Sequence, residues 1–145
     1  MGLERTLIII KPDGLMYKNE IKKRVLNAGL RTYKEKRLIM FSEIASKFYS
    51  HVKKINDKIY QDLVENYVGN QEVIAMVLEG EDAVQKLRKI TGYTDPETSL
   101  KGTIRGDLGT DKKRIADLEE RATRNLVHAS GSSEEAEKEI SFLFS

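Results

Sequence analysis

Several residue types and patterns are missing from this chain, and each absence excludes a class of protein. There is no cysteine, which excludes disulfide bonds, thiolate metal sites and cysteine nucleophiles. No apolar run approaches the roughly 20 residues of a membrane span, and the run at 7–10 is too short for the apolar part of a secretory signal. Neither a Walker A sequence nor GxGxxG occurs, so these glycine-rich phosphate loops are excluded. We expect a cytoplasmic protein with no membrane partner.

The charge balance and the few aromatic residues argue against nucleic acid as a partner. The 145 residues carry 25 Lys and Arg against 23 Asp and Glu, a formal net charge of +2. That is too balanced to indicate nucleic-acid binding. The 6 Tyr and 4 Phe do not form the paired aromatic motifs of RNA-binding sheets. We expect one globular domain over residues 1–145.

The order of predicted elements favours an α+β fold. The β-branched run at 6–10, followed by Pro12-Asp13-Gly14, predicts a buried strand and a turn. Further strands are predicted at 30–41, 73–78 and 126–127. Helices are predicted at 19–28, from Ser42, from Asp57, and at 82–90, 111–123 and 133–142, with a long ordered loop at 91–109. This order fits a ferredoxin-like (βαββαβ) four-stranded antiparallel sheet with helices on one face. A parallel doubly wound sheet is the alternative.

His128, one of only two histidines, lies where a short strand leads into a helix start. Ser132 and Glu135 form a capping-box pattern there, and helix N-termini favour anions. A neutral imidazole beside an anion site could act as a nucleophile, with Glu139 orienting its ring. The pattern leaves open a purely structural histidine and a solvent-exposed glutamate.

Three cations stand in or beside predicted loops: Lys11 after the first strand, Arg88 near a helix end, and Arg105 between two glycines. Phosphoryl transfer depends on charge neutralisation, and arginine matches phosphate oxygens. Each of these cations could equally be an ordinary surface residue.

Six stretches resemble the nucleoside diphosphate kinase family, in the family's order. They are ERTLIIIKPDG (4–14), VIAMVLEG (73–80), GYTDP (92–96), KGTIRGD (101–107), RNLVHAS (124–130) and SSEEAEKEI (132–140). The resemblance implies that His128 takes the γ-phosphate of a nucleoside triphosphate as a phosphohistidine and passes it to a second diphosphate by a ping-pong mechanism, with broad base specificity. The alternative is a catalytically weak, regulatory nucleotide-binding relative.

The resemblance also implies roles for other residues. Glu139 would orient His128, and Lys11 would face the transferred phosphate. The other implied roles are hydrogen bonds around the histidine from Tyr49 and Ser130, phosphate contacts from Arg88, Thr94 and Arg105, a sugar-side contact from Asn125, and a base contact from Ile59 or Tyr60. Mg²⁺ would arrive with ATP, GTP or another nucleotide, held mainly by phosphate oxygens. The implied assembly is a homo-hexamer or homo-tetramer built from dimers.

Departures from the family pattern are local. Ala129 stands where the family has glycine, and Lys101 replaces a proline of the subunit-contact loop. The segment between Arg105 and Asn125 is about ten residues longer, a length that a surface loop tolerates. We expect a helical insertion around 109–123.

Overall fold

A four-stranded antiparallel sheet forms the centre of the computed structural model, which describes residues 3–145. β1 (Leu3–Ile10) pairs with β3 (Gln71–Glu81) on one side and with β4 (Val127–Ala129) on the other. β2 (Arg31–Met40) pairs with the outer edge of β3, which gives the order β2-β3-β1-β4. The predicted ferredoxin-like sheet is therefore confirmed, and the parallel alternative is wrong.

Residues 3–145 form eight helices, of which seven lie between strands and the last follows β4. They are α1 (Lys18–Asn27), α2 (Ser42–Phe48), α3 (Ser50–Ile55), α4 (Asp57–Asp62), α5 (Ala83–Thr91), α6 (Ile104–Leu108), α7 (Lys113–Leu118) and α8 (Ser133–Phe144). Tight helical turns occupy Pro12–Tyr17 and Pro96–Thr98, and a π-helical turn occupies Leu63–Tyr67. Within residues 3–145, none of the helices has both the length and the apolar character needed to cross a membrane.

Helices cover both faces of the sheet, so the prediction of helices on one face is wrong. Ile8 and Ile10 of β1 join a core with residues of α1 and α5, whereas Leu7 and Ile9 join a second core with residues of α2 and α8. Successive strand residues point to opposite faces. A strand that is buried on both sides therefore has an unbroken apolar run, here at 7–10, whereas a half-exposed strand alternates apolar and polar residues.

Local hydrogen bonds decide where the helices begin. Ser132 caps α8 as predicted, its hydroxyl accepting the Glu135 N–H at 3.1 Å. α4 is capped by Asn56 and not by Asp57, because the extended Asn56 backbone lets its side chain accept the Ile59 N–H at 3.1 Å. Asp57 is consequently the first helical residue.

Two segments are more irregular than their sequence patterns predict. The predicted loop at 91–109 contains a short helical turn and α6, which are capped by the side chains of Asp95 and Thr103. The predicted helix at 111–123 is limited to Lys113–Leu118, and Glu120 lies shortly after its end at φ +53°. A left-handed residue cannot continue a right-handed helix.

We expect Ile8→Ala to lower the free energy of unfolding by about 2–5 kcal/mol, because it leaves a cavity in the core between β1 and the α1–α5 face. Urea unfolding followed by circular dichroism measures this. Ile55→Ala in α3 is the matched control, since Ile55 is 82% exposed, and it should change stability by no more than about 0.5 kcal/mol. Equal losses in both variants would contradict this assignment of the core.

Candidate active site

The backbone of His128 is fixed by strand pairing and its ring by packing. His128 lies at the centre of β4, opposite Ile9 of β1. Beyond it, the Ser130 N–H donates to the Leu7 carbonyl at 3.1 Å. The ring of Phe48 contacts the imidazole edge-on, with 5.2 Å between ring centroids. The imidazole therefore has one restricted position, with its side chain 19% exposed.

One nitrogen of the His128 ring is committed to Glu139 of α8. The Nε2 atom lies 2.8 Å from Glu139 Oε1, and the Ser130 hydroxyl donates to the same oxygen at 2.6 Å. Burial works to raise the pKa of Glu139, but the hydrogen bonds from His128 and Ser130 outweigh it and hold the pKa below its ordinary value. Because a carboxylate can only accept, Nε2 carries the proton, and in the neutral ring Nδ1 keeps its lone pair.

Lys11 places a buried ammonium at the end of β1. Its side chain donates to Asn125 Oδ1 at 2.9 Å, and the Asn125 amide in turn donates to the Thr94 carbonyl at 3.0 Å. Burial, and then the nearby charge of Arg105, lowers the pKa of Lys11 to about 7. An anion bound there would favour the charged form.

Arg105 of α6 is held almost wholly by backbone carbonyls. It donates to the carbonyls of Asn125 at 3.1 Å and Val127 at 2.7 Å, and across the cleft to Tyr93 at 3.2 Å. Burial, and then the charge of Arg88, lowers the pKa of Arg105 to about 10. Arg105 therefore stays charged at neutral pH, and it fixes a positive charge beside Val127, the residue that precedes His128 in β4.

A cleft of about 750 Å³ opens in front of these groups. It is lined by Lys11, Arg88, Lys89, Thr91, Gly92, Tyr93, Thr94, Asp95, Leu100, Thr103, Arg105, Lys113, His128 and Ala129. Five of these side chains are cations and only one is a carboxylate. Such a cleft suits a polyanion, and it brings the polyanion to the imidazole.

Comparisons with known proteins show which family the chain belongs to. The family model for nucleoside diphosphate kinase matches residues 4–145. The chain belongs to the nucleoside diphosphate kinase family. It is 42% identical over 146 residues to nucleoside diphosphate kinase 1 of Protochlamydia amoebophila, covering 99% of this chain and 94% of that protein. Nucleoside diphosphate kinase of Dehalococcoides mccartyi is 39% identical over 145 residues, covering 99% of this chain and 93% of the relative.

Solved structures of nucleoside diphosphate kinases share the fold. A transition-state mimic of the Borrelia burgdorferi enzyme with bound vanadate and ADP superimposes with a TM-score of 0.92 at 28% identity, covering 99% of this chain and 88% of that one. The NDP kinase from Pyrobaculum aerophilum superimposes with a TM-score of 0.88 at 32% identity, covering 99% of this chain and 97% of that one. Phosphotransfer between nucleotides is accordingly the activity of this chain.

Most of the sequence-predicted site residues meet at this cleft. Those that line it are Lys11, Arg88, Thr94, Arg105 and His128. Glu139 and Ser130 lie behind the imidazole, and Asn125 lies behind Lys11. The candidate site is thus assembled from the ends of β1 and α5, from α6, and from β4 with the adjoining α8.

Three other predicted residues, Tyr49, Ile59 and Tyr60, are not part of this arrangement. The Tyr49 hydroxyl is buried without a hydrogen-bond partner among residues 3–145, so its predicted hydrogen bond near the histidine is not formed. Burial and the Glu139 charge raise its pKa. Ile59 and Tyr60 pack on the core beside α2, and the Tyr60 hydroxyl points toward the Ser46 carbonyl, 3.5 Å away. The capped start of α4 turns both side chains inward, and their base contact stays a prediction.

Segment 109–123, the predicted insertion, is anchored at its far end by a buried carboxylate. Asp62 of α4 accepts the Ala122 N–H at 3.0 Å and pairs with the Arg124 guanidinium. The Lys58–Glu120 pair, 2.6 Å between Nζ and Oε2, adds an exposed contact between the same two segments.

The near end of the insertion is held by other ion pairs. Arg114 forms a two-pronged pair with Glu97, at 3.0 and 3.2 Å. Asp111 accepts two bonds from Arg121, at 2.7 and 3.0 Å, and one from the Arg124 N–H at 2.7 Å. The insertion therefore spans from the 95–97 turn to α4, and it brings Lys113 to the cleft.

The sequence interpretation missed Asp13, Tyr67 and Asp62 as residues that shape the site. Asp13 stands inside the KPDG stretch, and the sequence interpretation assigned it to a turn and to no other role. Asp62 lies next to Leu63 on the buried side of α4, and a carboxylate beside an apolar stripe is a detectable signal. Nothing near Tyr67 in the sequence points to its partners, which come from segments more than 50 residues away.

We expect the Asp111 carboxylate to stabilise the fold by about 1–2 kcal/mol near neutral pH. The Arg121 side chain is the main reason that the pKa of Asp111 lies at about 2. Because this folded-state pKa is below the ordinary value, the contribution is complete above about pH 4 and is lost as the pH falls toward about 2. Urea unfolding of Asp111→Asn from pH 7 downward measures it.

Asp117→Asn is the control within the same insertion, since Asp117 is exposed and pairs only with Lys113 at the i,i+4 position. It should cost no more than about 0.5 kcal/mol at any pH. A deficit of Asp111→Asn that did not shrink with falling pH would show that the carboxylate charge is not the cause.

Proposed function

We propose that His128 carries the phosphoryl group between two nucleotides in a ping-pong cycle. The lone pair of Nδ1 attacks the γ-phosphorus of a nucleoside triphosphate, the bond from that phosphorus to the β–γ bridging oxygen breaks, and the diphosphate leaves with the electron pair. A second diphosphate then attacks the phosphohistidine, and Nδ1 recovers its lone pair. The observation that carries this proposal is the hydrogen bond that occupies Nε2 and leaves Nδ1 free.

The surrounding charges support the same cycle. Glu139 favours the imidazolium character that develops as Nδ1 forms its new bond. Lys11, Arg88 and Arg105 line the cleft, where fixed positive charges stabilise the charge spread over the transferring oxygens. Since Lys11 has a pKa of about 7, a phosphate that binds beside it keeps its ammonium protonated.

Broad base specificity follows from where the chemistry lies. The reacting groups contact only phosphate, and the residues predicted to meet the base, Ile59 and Tyr60, offer an alkyl side chain and a ring face. Such contacts do not distinguish one base edge from another. ATP, GTP and other triphosphates would therefore serve as donors.

Nucleotide phosphotransfer generally needs a divalent cation, and we propose Mg²⁺. Over the described chain, no three His, Asp or Glu side chains form a group that could hold a metal ion. Asp95 is the carboxylate that lines the cleft, and its Oδ1 atom already accepts the N–H groups of Glu97 and Lys113. These residues fit a Mg²⁺ held chiefly by nucleotide oxygens, which neutralises phosphate charge.

We propose a homo-hexamer or homo-tetramer built from dimers. β2 is an edge strand that is exposed over most of its length. Ile39 of this strand is an exposed apolar residue, and so are Leu3 of β1 and Leu26 of α1. A long unpaired edge favours pairing with a second copy. We also propose that residues 1–145 act as one domain with the insertion around 109–123; a cytoplasmic location stays a prediction.

We expect γ-labelled ATP with Mg²⁺ to transfer label to the protein in an acid-labile, alkali-stable bond, and addition of a nucleoside diphosphate to remove it. His128→Ala should take up no label, because its nucleophile is gone. His51→Ala, which removes the other histidine, should be labelled like the unaltered protein. An unlabelled but folded and nucleotide-binding protein would instead support the regulatory alternative.

We expect Glu139→Gln to lower kcat by about 10- to 100-fold, because a neutral amide orients the ring without stabilising its positive charge. KM should change little, since Glu139 is not among the residues that line the cleft. Steady-state kinetics with varied ATP and diphosphate separate the two constants. Glu137→Gln, at an exposed position of α8, should behave like the unaltered enzyme; an equal loss in both variants would contradict the role of Glu139.

A further inference from the structure

The backbone just before His128 adopts a conformation that its residue disfavours. Leu126 has φ +74°, and the Val127 N–H donates to the Asn125 carbonyl at 2.8 Å across it. A leucine with positive φ is sterically strained and persists only where its surroundings hold it. His128 follows two residues later in a strand of only three residues. The position of the imidazole therefore depends on what holds this turn.

Two side chains distant in sequence hold the turn through consecutive N–H groups. The Asn125 N–H donates to the Tyr67 hydroxyl at 3.1 Å, and the Leu126 N–H donates to Asp13 Oδ2 at 3.2 Å. The Tyr67 hydroxyl donates in turn to Asp13 Oδ1 at 2.8 Å. The three contacts form a closed network, in which each side chain also fixes the other.

The same turn is tied to Lys11. The Lys11 N–H donates to the Leu126 carbonyl at 2.9 Å, so both polar groups of Leu126 are bound by the segment that contains Lys11 and Asp13. Gly14 approaches this carbonyl so closely that a Cβ atom there would lie 2.4 Å from its oxygen. The Lys11 ammonium also lies 5.1 Å from the centre of the Tyr67 ring.

We propose that Asp13 and Tyr67 are positioning residues for phosphoryl transfer, which brace the Leu126 turn and thereby set His128 and Lys11 at their working separation. Neither side chain is among those that line the cleft, so their effect reaches the phosphate through the backbone of 125–128 and through Lys11. This inference rests on the proposed phosphohistidine cycle.

The first test is Tyr67→Phe, which keeps the ring and removes the hydroxyl. Rapid-quench labelling with saturating γ-labelled ATP should show phosphorylation of His128 slowed by about 10- to 100-fold, because a misplaced nucleophile loses near-attack geometry. KM for ATP should stay within about threefold, since the groups that bind phosphate are intact. The double variant with Asp13→Asn should be no slower than the slower single variant, because residues acting as one unit are not additive.

Asp13→Asn should in addition move the pH profile. Lys11 is faced by the charges of Asp13, Arg105 and Arg124, and of these only Asp13 raises its pKa. Removing the carboxylate lowers the pKa of Lys11, so the basic limb of kcat/KM should move to lower pH. Tyr67→Phe keeps the carboxylate and should leave that limb in place, a difference that loss of stability alone would not produce.

Tyr17→Phe is the matched control, because Tyr17 belongs to the same helical turn and packs on the core of the α1–α5 face. It should keep the labelling rate and the pH profile of the unaltered enzyme. Urea unfolding establishes that each variant is folded. If Asp13→Asn does not fold, the labelling rate of Tyr67→Phe alone tests the proposal. Folded Tyr67→Phe with an unchanged labelling rate overturns the proposal, whereas an unaltered enzyme that takes no label overturns the phosphohistidine cycle itself.

Discussion

The hydrogen bond between the His128 imidazole and the Glu139 carboxylate is the interaction on which the rest of the site depends. Its two partners come from β4 and α8, and both of these elements contact β1. β1 is buried on both faces and is the common reference that sets the distance between them. The two-sided core therefore has a chemical consequence, because it holds one ring nitrogen against a charged acceptor and keeps the other available to substrate.

The positive charge in the cleft is costly to assemble, and the fold offsets that cost with backbone and side-chain acceptors. Arg105 gives its donors to carbonyls on both walls, and Lys11 gives one to Asn125. Burial still lowers the pKa of both groups, so these acceptors do not fully replace the water that the charges lose. An arriving phosphate supplies what is missing. Charge gathered before the substrate arrives needs little rearrangement during transfer, which is the advantage of a preorganised site.

Patterns within a single segment predicted much of this molecule. The run at 6–10 predicted β1, and Ser132 with Glu135 predicted the start of α8, because strand burial and helix capping act between near neighbours. The resemblance to the family added Ser130, Thr94 and Asn125, and it gave specific roles to Lys11, Arg105 and Glu139, which their positions in the sequence had already marked as candidates. The inward turn of Tyr60, the left-handed Leu126 and the contacts of Tyr67 were not predictable in this way. Each depends on residues that meet only after the sheet has formed, and no local pattern encodes such a meeting.

The predicted insertion at 109–123 shows how a long connection can leave the geometry of the site unchanged. Its flanking residues, Arg105 and Asn125, are joined directly by a 3.1 Å hydrogen bond from the Arg105 guanidinium to the Asn125 carbonyl. The chain between these two residues takes no part in that contact. Additional residues there therefore change the free energy of folding by little more than the entropy of closing a longer loop. Glu97 binds this segment near its start, at Arg114, and Asp62 binds it near its end, at Ala122. Lys113 is the one cation of the insertion that lines the cleft, and its Asp117 partner limits the charge it contributes. The insertion can therefore alter the rim of the site while the geometry around His128 remains that of β1, β4 and α8.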